Sequence, residues 1–289
     1  MASDVTFDAI NEAKANMDHI YDQRDPRAYF RELKKLGYTI PSAAKPVFQK
    51  LVSCLQRRQD ETVRVLDVGC SYGVNAAILR YDLSMPELYD HWGQTSLADA
   101  STDKVVECDQ RFFANLDEAE DVEVIGLDKA VNAVRFAEAV GLLDESLAVN
   151  LEIEPLPADA REPLASVDLI VSTGCVGYVT EKSFSRLMPA VSTGKLPWIA
   201  NFVLRMFPFD AIQKTLSERG YVTEKLEGHT FVQRGFVSAE EQEKVLEQLL
   251  DKGVNPSGKE TGGHLLAEFY LSRPSKDAGE EPIEQFFAA

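Results

Sequence analysis

The sequence has little that would mark secretion, a metal centre or a polyanionic partner. Its four cysteines, Cys54, Cys70, Cys108 and Cys175, are widely spaced and form no CxxC pair. Neither a zinc site nor a disulfide framework follows from them, and they read as reduced, mostly buried thiols. No run of about 18 apolar residues occurs, so a membrane span is not expected. The opening "MASDVTFDAINEAKANMDHIYDQRD" lacks the apolar core of a signal peptide, which leaves the cytoplasm as the default location. Basic charge is also scarce: 30 Lys and Arg stand against 47 Asp and Glu, a formal net charge of −17. The basic cluster at Arg57 and Arg58 in "QRRQ" reads as a solvated helix face rather than a phosphate track. Such a chain repels polyanions, so no nucleic acid and no membrane is expected as partner, and a small molecule is. Oligomeric state has no signal in the sequence. With 289 residues, 45% of them hydrophobic, there is apolar material for one large core with appendages.

What is present is organised in three parts. Residues 1–60 lack strand alternation and read as a helical cap or lid: "FDAINEAKANMDHIYDQ", then "DPRAYFRELKKLG" with Asp25 as N-cap and Pro26 at the first helical position, then "KPVFQKLVSCLQRRQ". Residues 61–273 carry the main fold. "VRVLDVG", "VEVIGLD", "LAVNLEI", "VDLIVST" and "PWIANFVLR" read as strands, separated by helical segments such as "AVNAVRFAEAVG" and "SFSRLMPAV". This alternation predicts an α/β fold with a doubly wound, mainly parallel sheet of seven strands. Insertions are expected at about 81–120, a helical pair able to cover the site, and at about 231–263. The second includes a helix with Ser238 and Glu241 as a capping box and a loop, "GVNPSGKETGGH", too rich in turn residues for regular structure. "HLLAEFYLSRP" and the strand-like segment before it predict an antiparallel edge, and 274–289 reads as a flexible tail.

The chemistry-bearing stretch is "RVLDVGCSYGVNAAILR", a strand, a glycine turn and a helix. Gly69 and Gly73 permit dihedrals that let a ligand approach the backbone, and the helix after them points its N–H groups at that ligand. The spacing is not the GxGxxG of a dinucleotide fold, so NAD is not expected. A second acidic strand end, Asp128 in "VEVIGLD", stands where a carboxylate accepts both ribose hydroxyls; it also precedes a helix, where an acid serves as a cap. Asp67 and Asp128 are 61 residues apart, against ~20 in an uninterrupted nucleotide-binding unit.

The stretch resembles the nucleoside-binding loop of class I S-adenosylmethionine-dependent methyltransferases, commonly D/E-x-G-x-G-x-G, with Ser71 replacing the middle glycine. The resemblance spans about residues 62–210 and implies S-adenosyl-L-methionine as cofactor. It puts Asp67 near the methionine amino group, with Gly69, Ser71 and Gly73 lining the cofactor and Asp128 on the ribose. It also puts Asn150 and Glu152 near the adenine, or at a surface strand end. Gly174 and Tyr178 follow the fourth strand, at the ligand-binding end of such a sheet. Tyr178 is either a ring face for the sulfonium or a half-buried cover for the sheet. Tyr21 and Tyr29 in the cap are expected to close over the cofactor.

A bound sulfonium is already activated and leaves a neutral thioether, so alignment and water exclusion are the main requirements. The catalytic candidates are Tyr178, His229 and Asn201, with His19 and Tyr21 as further polar groups; a lone histidine is often only structural. No D/N-P-P-Y/F/W follows the fourth strand, and "STGCVGYV" stands where the paired acids of a metal-dependent catechol enzyme are found. No metal is expected. Three readings follow. The first is methyl transfer to a small metabolite; the second is cyclisation of S-adenosylmethionine to azetidine-2-carboxylate with release of methylthioadenosine; the third is a non-catalytic binding protein.

Overall fold

The computed structural model describes residues 7–59, 61–119 and 121–287. Five strands run parallel: β1 (Val63–Val68), β2 (Val122–Asp128), β3 (Glu145–Ala148), β4 (Leu169–Thr173) and β5 (Trp198–Leu204). Most of them are nearly continuous aliphatic runs because the sheet is covered on both faces. Val65, Val124, Leu169 and Ala200 face a layer containing helices Ile40–Gln59, Val74–Arg80 and Val131–Ala139. Leu66, Ile125, Ile170 and Ile199 face the opposite layer, with helices Glu181–Val191 and Asp210–Ser217. The period-2 alternation of these side chains builds two cores from one set of strands.

The remaining strands are β6 (Tyr221–Lys225), β7 (Phe231–Gly235) and β8 (His264–Pro274). The sheet order is β3-β2-β1-β4-β5-β8-β6, with β7 also paired to β8. The expected seven strands are therefore eight, and the sheet is mixed. β8 is antiparallel to β5; β6 pairs with its residues 270–274 and β7 with residues 264–267, so two short strands share one edge position. A long β8 beside a turn at 226–230 explains why one expected edge strand becomes two. The sequence order reverses between β1 and β4, and their carboxyl ends form the switch point where open α/β sheets bind ligands.

The appendages differ in part from expectation. The first cap helix is broken into Phe7–Asn11 and Asp18–Tyr21. Asp25 Oδ1 accepts from the Arg27 amide at 3.2 Å, and Pro26 lies just before helix Arg27–Lys35 rather than inside it. The insertion contains helices Met85–Trp92 and Thr102–Phe113, as expected of a helical pair. It packs against the cap, with Phe30 stacked on Trp92 at 4.1 Å and the Tyr89 hydroxyl donating to Tyr38 O at 2.6 Å. It does not cover the central cavity, none of whose lining residues comes from it. The expected free tail instead forms helices Ser275–Glu280 and Ile283–Phe287, with Ile283 and Phe286 buried and Phe286 edge-on to Trp198; the last residues, 288 and 289, lie outside the described residues. Residues 1–6 of the expected cap lie outside them as well.

Candidate active site

A cavity opens at the switch point, walled by the carboxyl ends of β1, β2 and β4, the start of the cap and one end of β7. Its floor is the turn after β1. Gly69 has φ +77°, and a Cβ there would lie 2.7 Å from Cys175 Cβ, so this backbone position requires glycine on both conformational and steric grounds. Ser71 is also left-handed, with φ +48°. Its amide donates to Asp128 Oδ2 at 2.8 Å, which explains why the turn keeps this conformation without a glycine. The Ser71 hydroxyl is buried and has no hydrogen-bond partner within the described protein. Replacing Ser71 by glycine is expected to stabilise the fold by about 1 kcal/mol, since the left-handed strain outweighs glycine's extra unfolded entropy. A urea midpoint checks this, and a lower midpoint would show that the hydroxyl stabilises the turn.

Gly73 does not line the cavity, contrary to the expectation. Its φ of +74° sets the start of helix Val74–Arg80, and its missing side chain leaves room for Ala137 and Leu142, whose Cβ atoms would lie 3.1 and 3.2 Å from an added Cβ. It is a packing glycine. Asp67 is fully buried beneath the wall rather than in it. Its Oδ1 accepts from Asn75 Nδ2 at 2.9 Å, while Oδ2 has no partner; Asn75 lines the cavity and also donates to Thr173 Oγ1 at 3.2 Å. Burial pushes the Asp67 carboxyl up to about 7, against the Asn75 hydrogen bond and with help from the Asp128 charge.

Asp128 stands at the end of β2 and lines the cavity. Its Oδ1 accepts from the Ala130 amide at 3.0 Å and Oδ2 from Ser71, so the carboxylate ties the next helix and the glycine turn together. Burial raises its pKa, opposed by those backbone donors. Each oxygen retains acceptor capacity for a further hydroxyl. Both roles considered from sequence, helix cap and ligand acceptor, are thus compatible at one residue.

Asn150 and Glu152 also line the cavity, in the turn after β3. Asn150 Oδ1 accepts from the Glu152 amide at 3.1 Å. Glu152 is committed elsewhere: its carboxylate accepts from the Thr180 amide and hydroxyl at 2.8 and 2.9 Å and from Ser183 Oγ at 2.6 Å, fastening this turn to helix Glu181–Val191. Gly174, at φ +73°, admits the Gln233 amide, whose Nε2 would be 2.2 Å from an added Cβ. Tyr178 is 44% exposed, with Lys14 Nζ 5.0 Å and Lys129 Nζ 5.7 Å from its ring centroid. Tyr21 and Tyr29 line the cap side, edge-on to one another at 5.5 Å.

Two catalytic candidates lie outside the cavity. His229 is exposed in the β6–β7 turn, its Nδ1 2.9 Å from Glu227 O, and it is not among the lining residues. A turn at a sheet edge places it away from the strand ends. Asn201 is fully buried within β5, accepting from Ser172 Oγ at 2.7 Å, because its position in the alternation points it into the core with Ile199 and Val203. In their place the structure supplies Lys14, Gln233 and Arg234. The cap is held over them by Asn11 Nδ2 donating to Gly177 O and by the Ala15 amide donating to Glu241 Oε1, both at 2.8 Å. Among the described residues, no group of three or more metal-ligating side chains occurs, and no helix is long and apolar enough to cross a membrane.

No family model and no curated protein matches the chain. Solved structures do. The plantazolicin methyltransferase BpumL in complex with SAH shares 13% identity, covering 92% of this chain and 93% of that one with a TM-score of 0.41. Magnesium protoporphyrin IX methyltransferase from Synechocystis PCC 6803, with bound SAM, shares 10% over 80% and 79% at a TM-score of 0.40. A TehB-like SAM-dependent methyltransferase from Corynebacterium glutamicum shares 12% over 77% and 85% at 0.37. The strand order and the cavity at its switch point give this chain the doubly wound, Rossmann-like architecture that its strand–helix alternation predicts.

Proposed function

We propose that the chain binds S-adenosylmethionine in this cavity and transfers its methyl group to a small molecule. The observation that carries the reading is the carboxylate of Asp128, set at a cavity wall beside a left-handed turn whose Gly69 and Ser71 line the same cavity. The residues fit such a ligand. All of the following line the cavity: Asp128 would offer acceptors to the ribose hydroxyls, Asn150 and Leu151 would lie beside the base, and Gly69 and Ser71 would border the chain that continues from the ribose. The buried and unpartnered Ser71 Oγ and Gln233 Oε1, both on lining residues, are polar atoms expected where a polar ligand completes the hydrogen bonding. S-adenosylmethionine supplies an activated methyl group with a neutral leaving group; the chain's part is to orient it and exclude water, with the cap tyrosines as the cover.

Calorimetry with S-adenosylhomocysteine, followed by mass spectrometry of incubations with S-adenosylmethionine, tests this. Binding and an intact cofactor until an acceptor is added are expected. Enzyme-dependent methylthioadenosine and azetidine-2-carboxylate without any acceptor would replace methyl transfer by cyclisation. Failure to bind either nucleoside would remove the cofactor from the cavity.

A further inference from the structure

β7 carries a bulge: Val232 pairs with Leu266 and Arg234 with Leu265, leaving Gln233 between them without a register partner. An ordinary strand would send Gln233 and Arg234 to opposite faces, but here both line the cavity. Gln233 is 7% exposed; its Nε2, the donor a carboxylate can use, lies against Gly174, while its unpartnered Oε1 is an acceptor and serves only a ligand N–H or O–H. Arg234 is buried and paired with Glu241, its Nη1 and Nη2 donating at 2.9 and 2.6 Å. Lys14 reaches the same wall from the cap. Its Nζ lies 5.0 Å from the Tyr178 ring centroid and 5.3 Å from that of Phe207, and among the described residues no carboxylate is within ion-pair distance of it. A half-buried ammonium beside a guanidinium, whose own carboxylate is already engaged, lacks its counter-ion.

We propose that Lys14, Gln233 and Arg234 form a receptor for a ligand carboxylate. The proposal rests on the cofactor reading above and extends it to the end of the cavity at β4. Two sources have the required chemistry: the amino-acid tail of S-adenosylmethionine, and an acceptor that is itself a carboxylic acid. The route from the glycine turn is continuous. Gly69, Gly174, Cys175, Gln233 and Arg234 line one cavity, so a ligand chain passing over Gly69 reaches these donors within it. Burial and the Arg234 charge push the Lys14 ammonium down to about 8, with Glu241 and Cys175 acting the other way. Asp18, Tyr21, Asp128, Lys129 and Tyr178 are further ionisable groups on the cavity wall. Carboxylate binding requires charged Lys14, so affinity should decline as pH rises through about 8 in the wild type and not in a Lys14→Met variant.

The experiment measures binding of S-adenosylhomocysteine and of methylthioadenosine, which lacks the amino-acid tail, to wild type, Lys14→Met and Lys14→Arg. Benzoate serves as a carboxylate probe, titrated with and without S-adenosylhomocysteine. If the cofactor supplies the carboxylate, Lys14→Met weakens S-adenosylhomocysteine by about 10- to 100-fold, leaves methylthioadenosine unchanged, and Lys14→Arg restores much of the loss. If the acceptor supplies it, both nucleosides bind Lys14→Met normally while benzoate binding, present in wild type, is lost. The proposal is overturned if both nucleosides weaken together, or if neither nucleoside nor benzoate distinguishes Lys14→Met from wild type. Wild type that binds benzoate through Lys14 but neither nucleoside overturns the cofactor reading and leaves the carboxylate receptor standing.

Discussion

Replacing Asp128 by alanine is expected to weaken S-adenosylhomocysteine binding by about 2–4 kcal/mol, roughly 30- to 1,000-fold in Kd, through loss of charge-assisted hydrogen bonds to two ribose hydroxyls. The structure adds a second effect. The same carboxylate holds the Ser71 amide at 2.8 Å and the Ala130 amide at 3.0 Å, so its removal frees a strained left-handed residue at the cavity floor. The two effects separate by variant. Asp128→Asn keeps one neutral acceptor and should bind with intermediate affinity, whereas Ser71→Gly in the Asp128→Ala background should recover stability without recovering affinity. Calorimetry gives the affinities and denaturant midpoints the stabilities. A folded Asp128→Ala protein that binds as wild type would take Asp128 out of the ligand's reach and leave it a turn fastener.

The parallel half of the fold was legible because a sheet covered on both faces needs long aliphatic strands, and these stand apart from their amphipathic helices in the sequence. The acidic strand end at Asp128 and the glycine turn at Gly69 were legible for a related reason: local chain geometry brings both to the cavity at the switch point. Gly73 was misread because a glycine required by an adjacent helix, here through Ala137 and Leu142, looks in sequence like one required by a ligand. Asn201 and His229 failed because polarity alone does not say which face a strand residue takes or where a turn ends. Lys14, Gln233 and Arg234 were missed since they reach the wall from opposite ends of the chain, through a cap and a bulged strand. The bulge is the decisive step. "FVQRG" reads as strand-like, and only its pairing with β8 and the cavity lining show that the consecutive polar residues Gln233 and Arg234 share one face. The helix after β7 held one further signal: Glu241 sits where a capping box would turn it back to Ser238, yet Ser238 Oγ accepts from the Glu241 amide while the carboxylate goes to Arg234.

That redirected carboxylate gives the largest expected loss of stability. Glu241 accepts two hydrogen bonds from Arg234, one from the Val237 amide at 2.7 Å and one from the Ala15 amide at 2.8 Å. The paired side chains are 5% and 3% exposed, so water does not replace the carboxylate when it is lost. Truncating Glu241 to alanine leaves a buried guanidinium unpaired, and the expected cost is about 3–5 kcal/mol. The adjacent Glu240, whose ion pair with Lys244 is solvent-exposed, is the internal control, and its alanine variant should melt with wild type. Glu241→Ala also cuts the contact that holds residue 15 of the cap across the cavity. Limited proteolysis should therefore cleave between residues 11 and 18, the break between the first two cap helices, faster than in wild type. Glu241→Gln separates charge from geometry: its amide oxygen can still accept from Ala15, so cap protection should be partly kept while the unbalanced Arg234 charge still lowers the midpoint. Equal midpoints for Glu241→Ala and wild type would mean that Arg234 finds another partner or hydration. The cap would then be held by its remaining contacts, among them those at Gly177, Tyr72 and Asn132.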